Sequence, residues 1–137
     1  MKLLLDTNIL IDILSGREGY EESLQILRLC EVKIKGFISA ISVTDIMYIM
    51  RKQLSPEKVR EAVSTLLAIV DVVSVTKSDI NAALGGSFRD FEDAVQASCA
   101  ARLKADYIVT RNAKDYRLSA VKAITPADLL QILVCFD

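Results

Sequence analysis

The sequence predicts an α/β protein, a three-layer α/β/α sandwich with a mostly parallel sheet of about five strands. Short apolar runs alternate along the chain with segments of helical periodicity, which is typical of strands joined by crossover helices. The runs are almost continuously hydrophobic, as expected of strands that helices cover on both faces. Right-handed crossovers then produce a doubly wound sheet. The length of 137 residues suits a single domain over residues 1–137, because a chain near this size buries roughly 68% of its unfolded surface.

Polar residues, prolines and glycines divide the chain into these elements. The predicted strands cover residues 2–5, 36–39, 72–75, 107–110 and 121–124. The predicted helices cover residues 7–14, 20–32, 42–53, 56–70, 78–85 and 90–104, with a final helix from residue 126. Ser55 is a predicted cap followed by Pro56 at the first helical position, and Pro126 opens the last helix in the same way. Ser78 is the predicted cap of the fifth helix.

The composition excludes several kinds of site. The chain has no histidine, which removes Ser-His-Asp triads, Cys-His pairs and histidine metal sites. Any chemistry must therefore use carboxylates, hydroxyls, amines or thiols. The formal net charge is −1, and the sequence lacks the basic stripe of a protein that coats duplex nucleic acid. Near-neutrality does not exclude a site that needs only a few local cations.

The cysteines and the N-terminus predict a cytoplasmic protein without a membrane segment. Cys30, Cys99 and Cys135 are odd in number, widely spaced and set in apolar helical surroundings. We therefore expect reduced, buried thiols and neither a disulfide framework nor a zinc site. Two aspartates and an asparagine interrupt the apolar run in residues 1–14. That interruption predicts neither a signal peptide nor a membrane span.

Acidic residues gather at the carboxyl ends of the predicted strands, where open α/β sheets bind ligands. Asp6 ends the first strand, and Asp45 lies in the first turn of the helix after the second strand. Asp90 and Asp93 lie in the first turn of the helix before the fourth strand. Asp115, together with Asn112, follows the fourth strand. A helix that precedes a parallel strand runs antiparallel to it, so its N-terminus lies at the carboxyl end of that strand. We therefore expect all of these residues on one rim of the sheet.

Each acidic residue taken alone also has a structural explanation. Asp6 and Asp90 can cap helices. Asp45 and Asp93 suit the positive end of a helix dipole, and Asp115 suits a turn. Together, however, the acids would repel one another and raise their pKa values unless a cation compensates their charge. Carboxylate oxygens suit Mg²⁺ or Mn²⁺ better than zinc, so the rim predicts a Mg²⁺ or Mn²⁺ site.

Four segments of the chain resemble the PIN-domain family, and the similarity covers essentially the whole length. They are LLLDTNILID at residues 3–12, SAISVTDIMYIM at 39–50, DFEDAVQASCA at 90–100 and YIVTRNAKDY at 107–116. The first and last are quite specific, and the middle two are looser but occur in the right order. The form of the third segment looks like bacterial or archaeal PIN proteins related to VapC toxins.

This resemblance implies a metal-dependent endoribonuclease that hydrolyses phosphodiester bonds of single-stranded or loop RNA. The family's acidic tetrad, which would bind Mg²⁺ or Mn²⁺ and carry catalysis, falls on Asp6, Asp45, Asp93 and Asp115. The supporting positions are Thr7, Asn8, Asp90, Thr110 and Asn112. The cations expected to meet RNA phosphates are Arg111, Arg89 and Lys114. VapC-like relatives further imply a toxin–antitoxin pair, with an antitoxin protein that blocks the cleft.

The resemblance also implies a homodimer, and the sequence agrees in part. The predicted helices over residues 20–32 and 42–53 carry many large apolar residues for a chain this short. Val134 and Phe136 lie near a terminus, where burial within one protomer is difficult. Apolar residues beyond those that one small core can absorb often mark an interface.

Two positions depart from the family pattern. Asp45 stands where the family usually has Glu, one methylene longer. Asn112 stands where many relatives carry Asp, which leaves Asp115 to supply the charge. These departures bear on metal affinity and not on the fold.

Three alternatives remain open on the sequence. A degenerate PIN domain would bind RNA or a protein partner without cleavage. A Mg²⁺-dependent phosphatase of the haloacid-dehalogenase type needs a second Asp where this chain has Asn8. A receiver domain of two-component signalling needs an Asp at the end of the third strand, and residues 73–76 offer none.

Overall fold

The computed structural model describes residues 1–135, with side chains as far as residue 134, and confirms the predicted fold class. The strands are β1 (Lys2–Leu5), β2 (Lys35–Ser39), β3 (Asp71–Val73), β4 (Tyr107–Val109) and β5 (Ala123–Ile124). The helices are α1 (Thr7–Ser15), α2 (Tyr20–Val32), α3 (Ala40–Met50), α4 (Pro56–Leu67), α5 (Lys77–Gly85), α6 (Phe91–Leu103) and α7 (Pro126–Cys135), with a short 3₁₀ helix at Ala113–Tyr116.

The five strands form one sheet in the order β3-β2-β1-β4-β5, and every pairing is parallel. Leu4 in the central strand lies opposite Phe37 on one side and Ile108 on the other. The chain builds outward from β1 to β3 and then returns to place β4 on the other side of β1. The strand order therefore reverses between β1 and β4, and this switch point is where such sheets bind ligands, beyond the carboxyl ends of the strands.

Helices cover both faces of the sheet, because successive side chains of a strand point to opposite sides. Leu3 and Leu5 belong to a core with residues from α1, α2, α3, α4 and α7. Leu4 belongs to a second core with residues from α5 and α6. Gly36 in β2 permits close packing against α2, since a Cβ atom at this position would lie 2.6 Å from Cys30 Sγ.

Several element boundaries differ from the prediction. The predicted start of α3 at Ser42 is wrong: the helix begins at Ala40, because Ser39 is its cap and accepts a hydrogen bond from the Ser42 amide at 3.2 Å. Asp45 consequently lies in the second turn of α3 and not in the first. The predicted cap Ser78 is also wrong, since Thr76 caps α5 through a reciprocal capping box.

The helices α3 and α4 also end earlier than predicted, at Met50 and Leu67, and the strands β3 and β5 are shorter. The third strand begins one residue earlier than predicted and ends at Val73, and the fifth is reduced to Ala123–Ile124. Cys30 and Cys99 are buried free thiols, as predicted, and burial raises the pKa of each to about 11. The side chain of Cys135 lies outside the described residues. Within the described part of the chain, no helix combines the length and the apolar character needed to cross a membrane.

Candidate active site

A cleft of about 180 Å³ opens beyond the carboxyl end of β1, between α3 and the N-terminus of α6. The residues that line it are Asp6, Thr7, Asn8, Asp45, Ile49, Asp90, Glu92, Asp93 and Gln96. Six of these nine were predicted as site residues, and they come from three segments distant in the sequence. The fold therefore brings five carboxyl groups to one opening at the switch point of the sheet.

Asp6 directly follows the central strand β1 and is held there by hydrogen bonds to β4 and the residue after it. Its amide donates to the Val109 carbonyl at 2.9 Å, and its Oδ2 accepts a hydrogen bond from Thr110 Oγ1 at 2.8 Å. Although Asp6 occupies the N-cap position of α1, its side chain makes no capping hydrogen bond. Burial raises the pKa of Asp6, and the hydrogen bonds from Thr110 and Gln96, with the nearby amides of α1, oppose this rise. The carboxyl group thus remains available to the cleft.

The N-terminus of α6 presents Asp93 to the same cleft. Asp90 caps this helix, as its side chain accepts a hydrogen bond from the Asp93 amide at 2.9 Å. The buried Tyr116 donates through its hydroxyl to Asp93 Oδ1 at 3.1 Å. Burial raises the pKa of Asp93 to about 6, and the negative charges of Asp90 and Asp6 add to the rise. Asp93 is therefore an acid whose charge the surrounding protein does not compensate.

Glu92 is a site residue that the sequence reasoning missed. Its carboxyl group is hydrogen-bonded to Asp45, and this contact, together with burial and the charge of Asp45, raises the pKa of Glu92 to about 8. Thr7 Oγ1 donates to Glu92 Oε1 at 3.5 Å and also hydrogen-bonds Ser42 Oγ at 2.6 Å. The available signal was the position of Glu92 in the first turn of α6, four residues before Gln96 and thus on the same helix face.

Asp115 and Asn112 lie beside the cleft and do not line it. Asp115 is exposed in the 3₁₀ helix, and its charge makes a smaller contribution to the raised pKa of Asp93. The exposed Asn112 donates through its backbone amide to Thr110 Oγ1 at 3.2 Å. The fourth acidic position is therefore more distant from the cleft than the other three.

The predicted RNA-contacting cations have different surroundings. Arg111 Nε forms an ion pair with Asp12 Oδ2 at 3.0 Å, and the Arg111 side chain is nevertheless 43% exposed. Asp12 is buried on α1 and also pairs with Arg17 at 3.5 Å. The sequence reasoning did not assign Asp12 a partner. Arg89 and Lys114 are exposed, in the loop before α6 and in the 3₁₀ helix.

The donor chemistry of the cleft fits a hydrated Mg²⁺ or Mn²⁺ ion. None of the ion pairs between described residues reaches its five acids, as these pairs end on Asp12 or Asp79. In the part of the chain that the structure describes, no three acidic or cysteine side chains are close enough to enclose a metal ion by themselves. Mg²⁺ keeps several waters and needs only one or two carboxylates from a protein. Asp6 and Asp93 satisfy that requirement.

The sheet order and the cleft define an α/β protein with acidic residues gathered at the switch point of a parallel sheet. The sequence profile of the PIN domain matches residues 2–114. The chain therefore belongs to the PIN-domain family. No curated protein matches the chain by sequence.

Solved structures share the fold of this chain. A chain of a toxin-antitoxin complex from Klebsiella pneumoniae is 27% identical, with a TM-score of 0.70 over 90% of this chain and 97% of that one. A chain of VapBC2 from Rickettsia felis, bound to a promoter DNA fragment, is 19% identical, with a TM-score of 0.74 over 91% and 98% of the two chains. VapC20 from Mycobacterium tuberculosis, a sarcin-ricin loop cleaving toxin, is 15% identical, with a TM-score of 0.61 over 77% and 86%.

Proposed function

We propose that the chain is a Mg²⁺- or Mn²⁺-dependent endoribonuclease that hydrolyses phosphodiester bonds of single-stranded or loop RNA. The observation that carries this proposal is the cleft, where five carboxyl groups face one opening without an ion-paired cation among the described residues. The pKa values of Asp6, Glu92 and Asp93 are all raised. Strongly perturbed acids in a cleft indicate a functional site.

The proposed roles follow from the contacts of each acid. Asp6 and Asp93 hold the cation, since Asp6 is buried and Asp93 half-buried at the opening, and each is oriented by a hydroxyl, that of Thr110 or of Tyr116. Asp45, with Asp115 at the edge, completes the acidic surroundings. When bound, the cation supplies a lowered pKa for the attacking water and stabilises charge on the phosphate.

Binding of RNA is assigned to cations at the edge of the cleft. Arg89 directly precedes the cap of α6, and Arg111 and Lys114 follow β4, so each lies on a segment next to an acidic residue of the site. Their exposure allows contact with phosphates on either side of the scissile bond. A flexible single strand suits this opening, and the loop-cleaving activity of VapC20 supports the choice of substrate.

We further propose that the chain is the toxin of a toxin–antitoxin pair and works as a homodimer. The relatives from Klebsiella pneumoniae and Rickettsia felis are parts of toxin–antitoxin complexes. An apolar groove of about 380 Å³ lies between α2 and α7, and Val32 and Val134 beside it are 77% and 75% exposed. Phe136, which also entered the dimer prediction, lies outside the described residues. Light scattering from 1 to 100 µM tests the dimer, and a monomer throughout excludes it.

The experiment that tests the function is RNA cleavage by purified protein with Mn²⁺, Mg²⁺ or EDTA. We expect cleavage with either ion and none in EDTA. Asp93→Asn should reduce the rate by at least about 100-fold, since loss of charge stabilisation worth several kcal/mol has that effect. Asp71→Asn is the matched control. Asp71 is exposed at the amino end of β3, whereas the cleft lies at the carboxyl ends of the strands, so this variant should cleave RNA like the wild type.

Two results would contradict the proposal. Full cleavage in EDTA by a pure preparation would exclude the metal-dependent mechanism. Metal-independent RNA binding without cleavage would instead support a degenerate PIN domain.

A further inference from the structure

Gln96 is a buried amide side chain that lines the acidic cleft. It is 1% exposed and lies one helical turn after Glu92 and Asp93 on α6, so the three residues share a helix face. Its Nε2 donates a long hydrogen bond to Asp6 Oδ1, at 3.5 Å, beyond the usual range of about 2.7–3.2 Å. Its Oε1 is buried and accepts no hydrogen bond from any described residue.

The orientation of this amide follows from its neighbour. Exchanging the oxygen and nitrogen positions would place Oε1 against the carboxylate of Asp6, where two acceptors repel each other. With Nε2 towards Asp6, the acceptor Oε1 is left without a protein donor. Buried polar atoms nearly always have partners, and an exception calls for an explanation such as a bound ion or water. The cleft that Gln96 lines supplies the place for that partner.

We propose that Gln96 is a positioning residue of the cation site. Its Nε2 orients Asp6, and its Oε1 accepts a hydrogen bond from the hydration water of a divalent cation. This inference rests on the proposed metal-dependent function. A neutral amide suits the position because it adds an acceptor without adding charge to a cleft that already holds five carboxyl groups. Mg²⁺ keeps several of its water molecules, and polar side chains next to a metal site often form hydrogen bonds with the ligands of the ion.

Mn²⁺ binding to the full chain tests this role, measured by calorimetry and by thermal unfolding in EDTA and in Mn²⁺. Gln96→Met keeps the length of the side chain and removes both the donor and the acceptor. We expect its Mn²⁺ affinity to fall by about 10- to 100-fold, the usual effect of losing such an outer partner. The Mn²⁺-induced rise in Tm should shrink accordingly.

Two further variants separate this role from simple destabilisation. Ser98→Ala on the same helix removes a hydrogen bond to Asp79, away from the cleft. It should lower Tm equally in EDTA and in Mn²⁺ and leave the affinity unchanged. Gln96→Glu keeps the acceptor but places a carboxylate against Asp6. We expect the lowest Tm of the set in EDTA, a larger Mn²⁺-induced rise than in Gln96→Met, and an affinity within about 10-fold of the wild type.

The outcomes distinguish the two proposals. If the wild type binds Mn²⁺ and cleaves RNA while Gln96→Met binds Mn²⁺ equally well, the assignment of Gln96 is wrong and the proposed function stands. Equal losses of affinity in Gln96→Met and Gln96→Glu would overturn the acceptor role of Oε1. A wild type that neither binds Mn²⁺ nor cleaves RNA would overturn both proposals.

Discussion

Asp6 and Asp79 are both buried aspartates in contact with α6, 6% and 1% exposed, but their surroundings differ. Asp79 accepts hydrogen bonds from Ser98 at 2.8 Å and from Arg102 at 2.9 Å, the second of which is also an ion pair. Thr76 adds donors from its amide and its hydroxyl. The side chain of Asp6 accepts hydrogen bonds only from the Thr110 hydroxyl at 2.8 Å and the Gln96 amide at 3.5 Å among the described side chains, and it forms no ion pair with a described residue.

The pKa values of the two groups shift in opposite directions as a result. Burial alone would raise the pKa of Asp79, but the hydrogen bonds from Arg102, Thr76 and Ser98 together hold it well below its usual range. Burial dominates at Asp6 and raises its pKa. Asp79 is therefore compensated within the fold, whereas no described cation compensates Asp6. Under the proposed function, this contrast separates a structural carboxylate from one that binds a cation.

Removing the cation that compensates Asp79 should have the largest effect on stability. Arg102→Met leaves a buried carboxylate without its ion pair, and such losses cost 3–5 kcal/mol when both partners are buried. Because the Arg102 side chain is 38% exposed, we expect a decrease of about 2 kcal/mol in the free energy of unfolding. Urea denaturation at pH 7 measures it.

The matched control for this variant is Arg60→Met, since Arg60 is exposed on α4 and makes no ion pair with a described residue. The control should change stability by less than about 0.5 kcal/mol. The Mn²⁺ response of Arg102→Met should match that of the wild type. A stability loss no larger than the control's would contradict the structural role of Asp79.

The uncompensated acids predict a stability that depends on pH in the metal-free protein. The pKa values of Asp93 and Glu92 are about 6 and about 8 in the folded chain, above the unfolded values near 4. The folded state therefore holds more protons in this range. Their favourable contribution is complete below pH 4 and is lost as the pH rises towards 8. Allowing for solvent screening, we expect about 1 kcal/mol less stability at pH 8 than at pH 5 in EDTA.

A double variant sharpens this prediction. Asp93→Asn combined with Glu92→Gln removes both titrations, so its stability in EDTA should fall less between pH 5 and pH 8 than that of the wild type. Asp6, whose pKa burial also raises, remains in the variant and keeps its own contribution. The carboxyl group of Asp79 titrates below this window and should not contribute. A wild-type stability that rises over the same pH range would show that the cleft acids are compensated after all.

Most of the fold could be predicted from local patterns. The boundaries of α2 agree at both ends with the prediction, because its apolar periodicity is uninterrupted from Tyr20 to Val32. The start of α3 could not be placed, since Ser39 and Ser42 both suit a cap and only the position of the sheet edge selects Ser39. The N-cap of α5 was ambiguous in the same way, because Thr76 and Ser78 both suit a cap and the helix uses Thr76.

The residues of the cleft were predictable where the geometry of a parallel sheet places them, and less so where they depend on neighbours across the fold. Asp6 lies at the carboxyl end of β1, and Asp93 lies at the start of the helix that precedes β4, so both fall on the same rim of the sheet. Glu92 and Gln96 become site residues through contacts with Asp45 and Asp6, which lie far away in sequence. The pairing of Arg111 with a buried aspartate likewise depends on how β4 is placed beside α1.

The smallest expected effect concerns Asp45, which lies in the second turn of α3, where a helix dipole contributes little. Its contact with Glu92 indicates that it faces the cleft. Asp45→Glu extends the carboxyl group by one methylene, and we expect Mn²⁺ to bind about 3-fold more tightly, a gain of about 0.7 kcal/mol. Asp45→Ala should bind Mn²⁺ more weakly than the wild type. Calorimetry on both variants, with Asp71→Asn as the control, decides the matter, because unchanged affinity in both would remove Asp45 from the cation site.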